Sequence, residues 1–134
     1  MYYLDEFKTN INIGITKLYD ETNIVCECKV CYNKKDNCWS ISAWYTSTSY
    51  MRQGYGKRTL KHILECMYEE FGKPDKIEYI WNGANQYVMD WLSKNFDPVS
   101  KLPIEVQKNS EVDDWDAHVY VLNKDKVLSY FEIE

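Results

Sequence analysis

Apolar and polar residues alternate along three early stretches of the chain. NINIGITKLY (10–19) places Ile11, Ile13 and Ile15 on one face. IVCECKVCY (24–32) places Cys26, Cys28, Val30 and Tyr32 on one face and Glu27 and Lys29 on the other. WSISAWYT (39–46) separates Trp39, Ile41, Ala43 and Tyr45 from Ser40, Ser42 and Trp44. The connectors YDET and NKKDN carry turn residues at hairpin lengths. The pattern predicts an antiparallel meander.

The period then changes. From Leu60 the apolar residues fall at 60, 63, 64, 67, 68 and 71, the stripe of an amphipathic helix. Gly72 stands where a left-handed C-terminal cap belongs, and Pro74 follows. KIEYIWN (76–82) reads as a strand. A second helix over 84–95 buries Val88, Trp91, Leu92 and Phe96, and Pro98 closes it. A short strand near Ile104–Val106, a strand HVYVL (118–122) and a final strand KVLSYFEI (126–133) complete the order β-β-β-α-β-α-β-β. The strand–helix–strand segment at 39–82 implies a parallel pair joined by a right-handed crossover. The expected fold is α+β with α/β/α layers: a mixed, mostly antiparallel sheet, one parallel pair and at least two helices. With 134 residues and no repeat, low-complexity run or linker, residues 1–134 are expected to form a single domain.

Composition narrows the class. An apolar fraction of 45% argues against disorder, and twelve Tyr with five Trp suit a half-buried sheet. A net charge of -5 disfavours broad nucleic-acid binding. The start, MYYLDEFKTN, has neither a basic n-region nor an apolar run, and no stretch approaches the ~20 apolar residues of a bilayer span. Five Cys, an odd number, suit a reducing cytoplasm with free thiols, so a cytoplasmic protein without a membrane partner is expected.

The stretch YMRQGYGKRTL (50–60) sits between a strand and a helix. That junction exposes unpaired backbone N–H groups, and the helix dipole adds partial positive charge. Gly54 and Gly56 would let the backbone approach an anion, with Arg52, Lys57, Arg58 and Lys61 around it. The plainer alternative is a tight turn beside a solvated helix start. The spacing matches neither a nucleotide P-loop nor a dinucleotide fingerprint.

In its context the stretch resembles the GNAT superfamily of acetyl-CoA-dependent N-acetyltransferases. There a strand runs into an R/Q-x-x-G-x-G/A turn and a long helix, followed by a splayed strand and a further helix. The corresponding parts are 39–46, 51–56, 57–71, 76–82 and 84–96, and Tyr50 stands where the family often has Tyr. The resemblance covers roughly 39–122, and the helices usual before the leading hairpin are missing or reduced to a short N-terminal piece. It implies that the backbone of Met51, Arg52, Gln53, Gly54, Tyr55, Gly56 and Lys57 holds the pyrophosphate of acetyl-CoA. It implies too that the backbone of Trp44, Tyr45 and Thr46 pairs with pantetheine, and that an N–H near Tyr45 faces the oxyanion. It makes Asn85, at the start of the second helix, a candidate further contact to the cofactor. Two motif positions differ: Met51 replaces Arg or Gln, and Arg52 replaces a common Gly. The family's general acid is a Tyr five residues before the Phe. Counting back from Phe96 gives Trp91, which leaves Tyr87 as the nearest hydroxyl and the candidate catalytic residue.

Two other clusters draw attention. Cys26, Cys28, Cys31 and Cys38 do not follow a standard zinc spacing, and Cys31 faces away from the first two, so core cysteines are expected and no metal. Cys66 as a nucleophile lacks an evident partner, since His62 falls on a solvated side. Glu111, Asp113, Asp114 and Asp116 form either a solvated loop or, for Asp113, Asp114 and Asp116, a dock for a cationic substrate.

The expected activity is transfer of acetyl from acetyl-CoA to a primary amine, either a small cationic amine or a protein lysine. The alternative is a catalytically weak or inactive GNAT-like module that binds CoA or a protein, which Trp91 favours. A third reading, an oligomeric structural domain with a homodimer as the simplest assembly, rests on the surplus of aromatics.

Overall fold

The alternating first third folds as four antiparallel strands rather than three. The computed structural model describes residues 1–8, 12–81, 86–101 and 118–133. In it β1 (Tyr2–Lys8) pairs with β2 (Ile13–Asp20), β2 with β3 (Asn23–Asn33), and β3 with β4 (Cys38–Thr46). Tyr3, Asp5 and Phe7 of β1 alternate as the later strands do. The charge at Asp5 breaks the apolar face and hides β1 from a hydrophobicity pattern.

The helical stripe folds as α1 (Tyr55–Phe71), capped at Gly72, whose N–H donates to the Tyr68 carbonyl at 2.8 Å. Then come β5 (Lys76–Trp81), α2 (Gln86–Phe96), β6 (Val99–Lys101), β7 (His118–Leu122) and α3 (Lys124–Tyr130). The seven strands form one sheet in the order β1-β2-β3-β4-β5-β7-β6. β4 and β5 run parallel and every other pair is antiparallel. This is the α+β class with the mixed, mostly antiparallel sheet that the sequence predicts.

The core forms where the three helices meet one face of the sheet. Cys28, Val30, Ile41, Ile77, Tyr79 and Leu122 of the sheet meet Leu60, Ile63, Leu64 and Met67 of α1. Val88, Leu92 and Phe96 of α2 and Val127 and Leu128 of α3 join the same cluster. Each such aliphatic side chain contributes about 1.5–3 kcal/mol on burial. A helical layer on the other face is not among the described residues. No helix among the described residues is long and apolar enough to cross a membrane.

Three expectations change. The final segment is helix, not strand. Asn123 caps α3 by accepting from the Lys126 N–H at 3.2 Å, and Val127, Leu128 and Phe131 bury at helical spacing. In β2 the buried positions are Gly14, Thr16 and Leu18, so Ile13 and Ile15 lie on the opposite, half-buried face, and Ile11 lies outside the described residues. The strand chooses this face because Gly14 fits beneath α1: an added Cβ there would sit 3.1 Å from Met67 Sδ. β4 keeps Trp39 and Ile41 on the core face, but a bulge at Ser42 turns Ala43 and Tyr45 outward and Trp44 and Thr46 inward. The expected strand near Ile104–Val106 lies outside the described residues, and the short β6 was without a pattern long enough to read.

Phe96 joins α2 to α3. It is fully buried, with ring centroids 5.2 Å from Trp91, 5.5 Å from Tyr130 and 6.2 Å from Phe131. Phe96→Ala is expected to lower the unfolding free energy by about 3–5 kcal/mol in urea titration. A loss below about 1 kcal/mol would mean that the two helices do not depend on this ring.

Candidate functional site

The site begins where β4 leaves β5. The two strands pair only from Cys38–Lys76 to Ile41–Tyr79. Beyond Ile41, Lys29 opposes Ala43 and Val30 opposes Ile41, so Ser42 is one residue too many on β4. Its Oγ donates to the Lys29 carbonyl at 3.4 Å. Residues Ala43 to Thr46 remain paired with β3 on one side, while their other backbone edge has no β5 partner. The fork opens at this point.

The bulge also aims the side chains. Trp44 points toward α1 and donates from Nε1 to the Gly56 carbonyl at 2.9 Å. Tyr45 points away and donates to Glu27 Oε2 at 2.8 Å. Burial and that hydrogen bond push the Tyr45 phenol up to about 12, so it holds its proton firmly.

Thr48–Tyr50 form one 3₁₀ turn after β4, and the chain then turns into α1. Two residues of this turn have left-handed backbone, Arg52 at φ 62° and Gly54 at φ 85°. Gly54 is the N-cap of α1 and supplies no side-chain cap to the helix N–H groups. Its carbonyl accepts from the Arg58 N–H at 3.2 Å. Gly56 lies so close to β4 that an added Cβ would stand 3.2 Å from Thr46 Oγ1 and 3.5 Å from Trp44 Nε1. Uncapped N–H groups, a helix dipole and exposed Arg52, Lys57 and Arg58 make this end electropositive. Among the described residues no carboxylate forms an ion pair with any of these three or with Lys61.

α2 supplies the opposite wall. Trp91 packs at 5.6 Å from Trp44 and 5.6 Å from Tyr130, and Lys57 Nζ lies 5.2 Å above its ring. One turn earlier Tyr87 is 62% exposed. Tyr50 closes the floor, donating to Asp20 Oδ2 at 3.2 Å with its ring against Tyr55.

These parts enclose a cleft of about 690 Å3. Ten of the residues singled out in the sequence line it together: Trp44, Tyr45, Thr46, Met51, Arg52, Gly54, Tyr55, Gly56, Lys57 and Tyr87. Gln53 lies in the same turn but outside the lining. Asn85, Glu111, Asp113, Asp114 and Asp116 lie outside the described residues. Tyr50, Val88 and Trp91 also line the cleft without having been assigned to it. For Val88 and Trp91 the helical stripe gave the signal, but it equally signals core. Of the four clustered cysteines, Cys26, Cys28 and Cys38 are buried, and Cys31 meets Ser42 on the outer face. His62, expected to be solvated, instead lies 3.9 Å from Cys66 Sγ.

No family model matches the sequence, and no curated protein does. Solved structures do share the fold. Nourseothricin acetyltransferase superposes with a TM-score of 0.62 over 84% of this chain and 65% of its own, at 9% identity. The PaiA N-acetyltransferase from Thermoplasma acidophilum, in complex with coenzyme A, gives 0.62 over 84% and 62%, at 10% identity. N-acetylglutamate synthase from Neisseria gonorrhoeae, complexed with coenzyme A and N-acetyl-glutamate, gives 0.58 over 84% and 26%, at 19% identity. The chain spans less than two thirds of the length of each of them.

The two left-handed residues of the turn predict opposite mutational signs. Gly54→Ala places a Cβ at φ 85° and is expected to lower stability by about 1 kcal/mol. Arg52→Gly removes the same strain at φ 62° and should leave stability unchanged or raise it by up to about 1 kcal/mol. Urea unfolding of both variants measures this, and equal losses would contradict the turn geometry.

Proposed function

We propose, from the GNAT acetyltransferase fold that this chain has, that it is an N-acetyltransferase moving acetyl from acetyl-CoA to a primary amine. The supporting observation is the pairing, in one cleft, of an open strand edge at Trp44–Thr46 with an uncapped, cationic helix start at Gly54–Lys57. The first can receive an extended amide chain, the second an anion. Pantetheine joined to pyrophosphate has both chemistries in one molecule. The close approach of Gly56 to Thr46 and Trp44 fits this need, since any larger residue there would fill the join between the two subsites.

When bound, acetyl-CoA supplies the activated acetyl group as a thioester. The N–H groups at the start of α1, with Arg52 and Lys57, would hold its phosphates. A backbone N–H of the β4 edge near Tyr45 would face the carbonyl oxygen, where negative charge develops during attack. Tyr87 Oη is the proposed proton donor to the leaving sulfur. Tyr45 is a poorer donor, because burial and Glu27 hold its proton. Trp44 and Trp91 would exclude water from one side of the reaction. The proposed acceptor is a small cationic amine or a protein lysine, with Asp113, Asp114 and Asp116 as its dock.

A second reading is a GNAT-fold module that binds CoA or a protein partner with little turnover. It is favoured by Trp91, the residue that the resemblance sets at the position of the general acid; its ring packs against Trp44, Phe96 and Tyr130.

Titration calorimetry with acetyl-CoA tests the shared premise. Binding in the micromolar range is expected, and Gly56→Asp should weaken it at least tenfold by placing a carboxylate in the cradle. No binding at high micromolar concentration would sink both CoA readings. A thiol-release assay over an amine panel then separates them. Tyr87→Phe is expected to lower kcat by about 10²-fold while leaving the acetyl-CoA Kd within about twofold. An unchanged kcat removes Tyr87 as the acid.

A further inference from the structure

At the β1 edge of the sheet, two to three turns along α1 from the cleft, a second group of reactive side chains converges. His62 and Cys66 are four residues apart on α1 and so share a face. Asp5 of β1 reaches them from the sheet. Its Oδ1 lies 2.9 Å from His62 Nε2 and its Oδ2 3.4 Å from Cys66 Sγ, while Sγ and Nε2 stand 3.9 Å apart. One ligand atom from each residue falls within 4.8 Å of the other two.

These separations lie close to those of a coordination polyhedron. A tetrahedral metal with bonds of about 2.0–2.3 Å sets its ligand atoms about 3.3–3.8 Å apart. Small side-chain rotations bring the observed distances into that range. A catalytic thiol relay does not fit the same geometry. A relay needs the carboxylate and the thiol on opposite ring nitrogens, and here both approach Nε2.

The surroundings orient the three groups. The Tyr3 ring stacks on His62 with centroids 4.4 Å apart and planes 19° from parallel, which fixes the imidazole. Thr16, itself 1% exposed, donates from Oγ1 to Asp5 Oδ1 at 2.7 Å. Burial pulls the Asp5 carboxyl up, but hydrogen bonds from Thr16 and Cys66 and the nearby His62 outweigh it and hold it below its ordinary value. Burial first, then the charges of Asp5, Glu69 and Glu65, push the Cys66 thiol up to about 12.

We propose that Asp5, His62 and Cys66 form a site for a divalent metal of the zinc class, separate from the cleft. A thiolate, an imidazole and a carboxylate are the donor set that such an ion takes. On binding, the Cys66 S–H bond breaks, its proton passes to water and a metal–sulfur bond forms. His62 Nε2 and an Asp5 oxygen donate lone pairs, and water takes the fourth, solvent-facing position. The ion ties the edge strand β1 to α1.

Cobalt(II) is the probe, added to chelator-treated protein. One equivalent is expected to produce a thiolate-to-cobalt charge-transfer band with tetrahedral d–d absorption, and zinc should displace it. Cys66→Ser, nearly isosteric, should abolish the band, and Cys31→Ser should leave it. His62→Ala and Asp5→Asn should weaken cobalt affinity at least tenfold, with circular dichroism confirming that each variant is folded. Zinc at a hundredfold excess over Kd should raise Tm by roughly 5–10 °C in the unaltered chain and not in Cys66→Ser. Absence of the band, its survival in Cys66→Ser, or unchanged affinity in a folded His62→Ala would each overturn the site.

Discussion

One extra residue in β4 organises the cleft. Without Ser42, strict alternation would carry Tyr45 to the helix side and Trp44 to the outside. With it, Trp44 reaches inward, holds the Gly56 carbonyl and meets Trp91 across the gap. The same step bends β4 away from β5, leaving a strand edge beside the start of α1. A hydrogen bond, an aromatic contact and an open backbone edge therefore share a single local cause. Bulges cluster near functional sites because they redirect side chains without dismantling the sheet.

The turn before α1 shows how local chemistry serves that geometry. A side-chain cap at position 54 would occupy the helix N–H groups internally, whereas glycine leaves them facing the cleft. Arg52 shares the left-handed conformation although it carries a Cβ. The strain of about 1–2 kcal/mol that this entails brings a guanidinium to the mouth of the cleft.

How far the sequence could be read follows from these constraints. Periodicity disclosed α1, α2, the middle strands and the parallel crossover, because each repeats its pattern over several residues. It misjudged the faces of β2, where the buried positions are Gly14, Thr16 and Leu18 and the isoleucines are only half-buried. It misread α3, since a seven-residue helix rich in Val, Leu and Tyr carries nearly the same apolar pattern as a short strand. A one-residue bulge has no sequence period, so the side to which Trp44 turns was not legible at all. The cleft was legible through the strand–turn–helix order. The Asp5–His62–Cys66 group was not, because it joins residues 57 and more positions apart through the register of β1, the strand that the apolar pattern concealed.

The β3–β4 turn adds a mechanical point. Asn37 at its tip donates to the Lys73 carbonyl at 3.0 Å, and its own carbonyl accepts from the Asp75 N–H at 2.8 Å. The parallel strands are thus clamped at their base, just outside the stretch where they pair. At the other end they are spaced by rings: Trp44, Tyr79 and Trp91. The parallel pair is closed at one end by hydrogen bonds to Asn37 and flanked at the other by aromatic rings. Exchanging one of those rings could widen or narrow the mouth while the clamp at Asn37, and with it the sheet register, stays as it is.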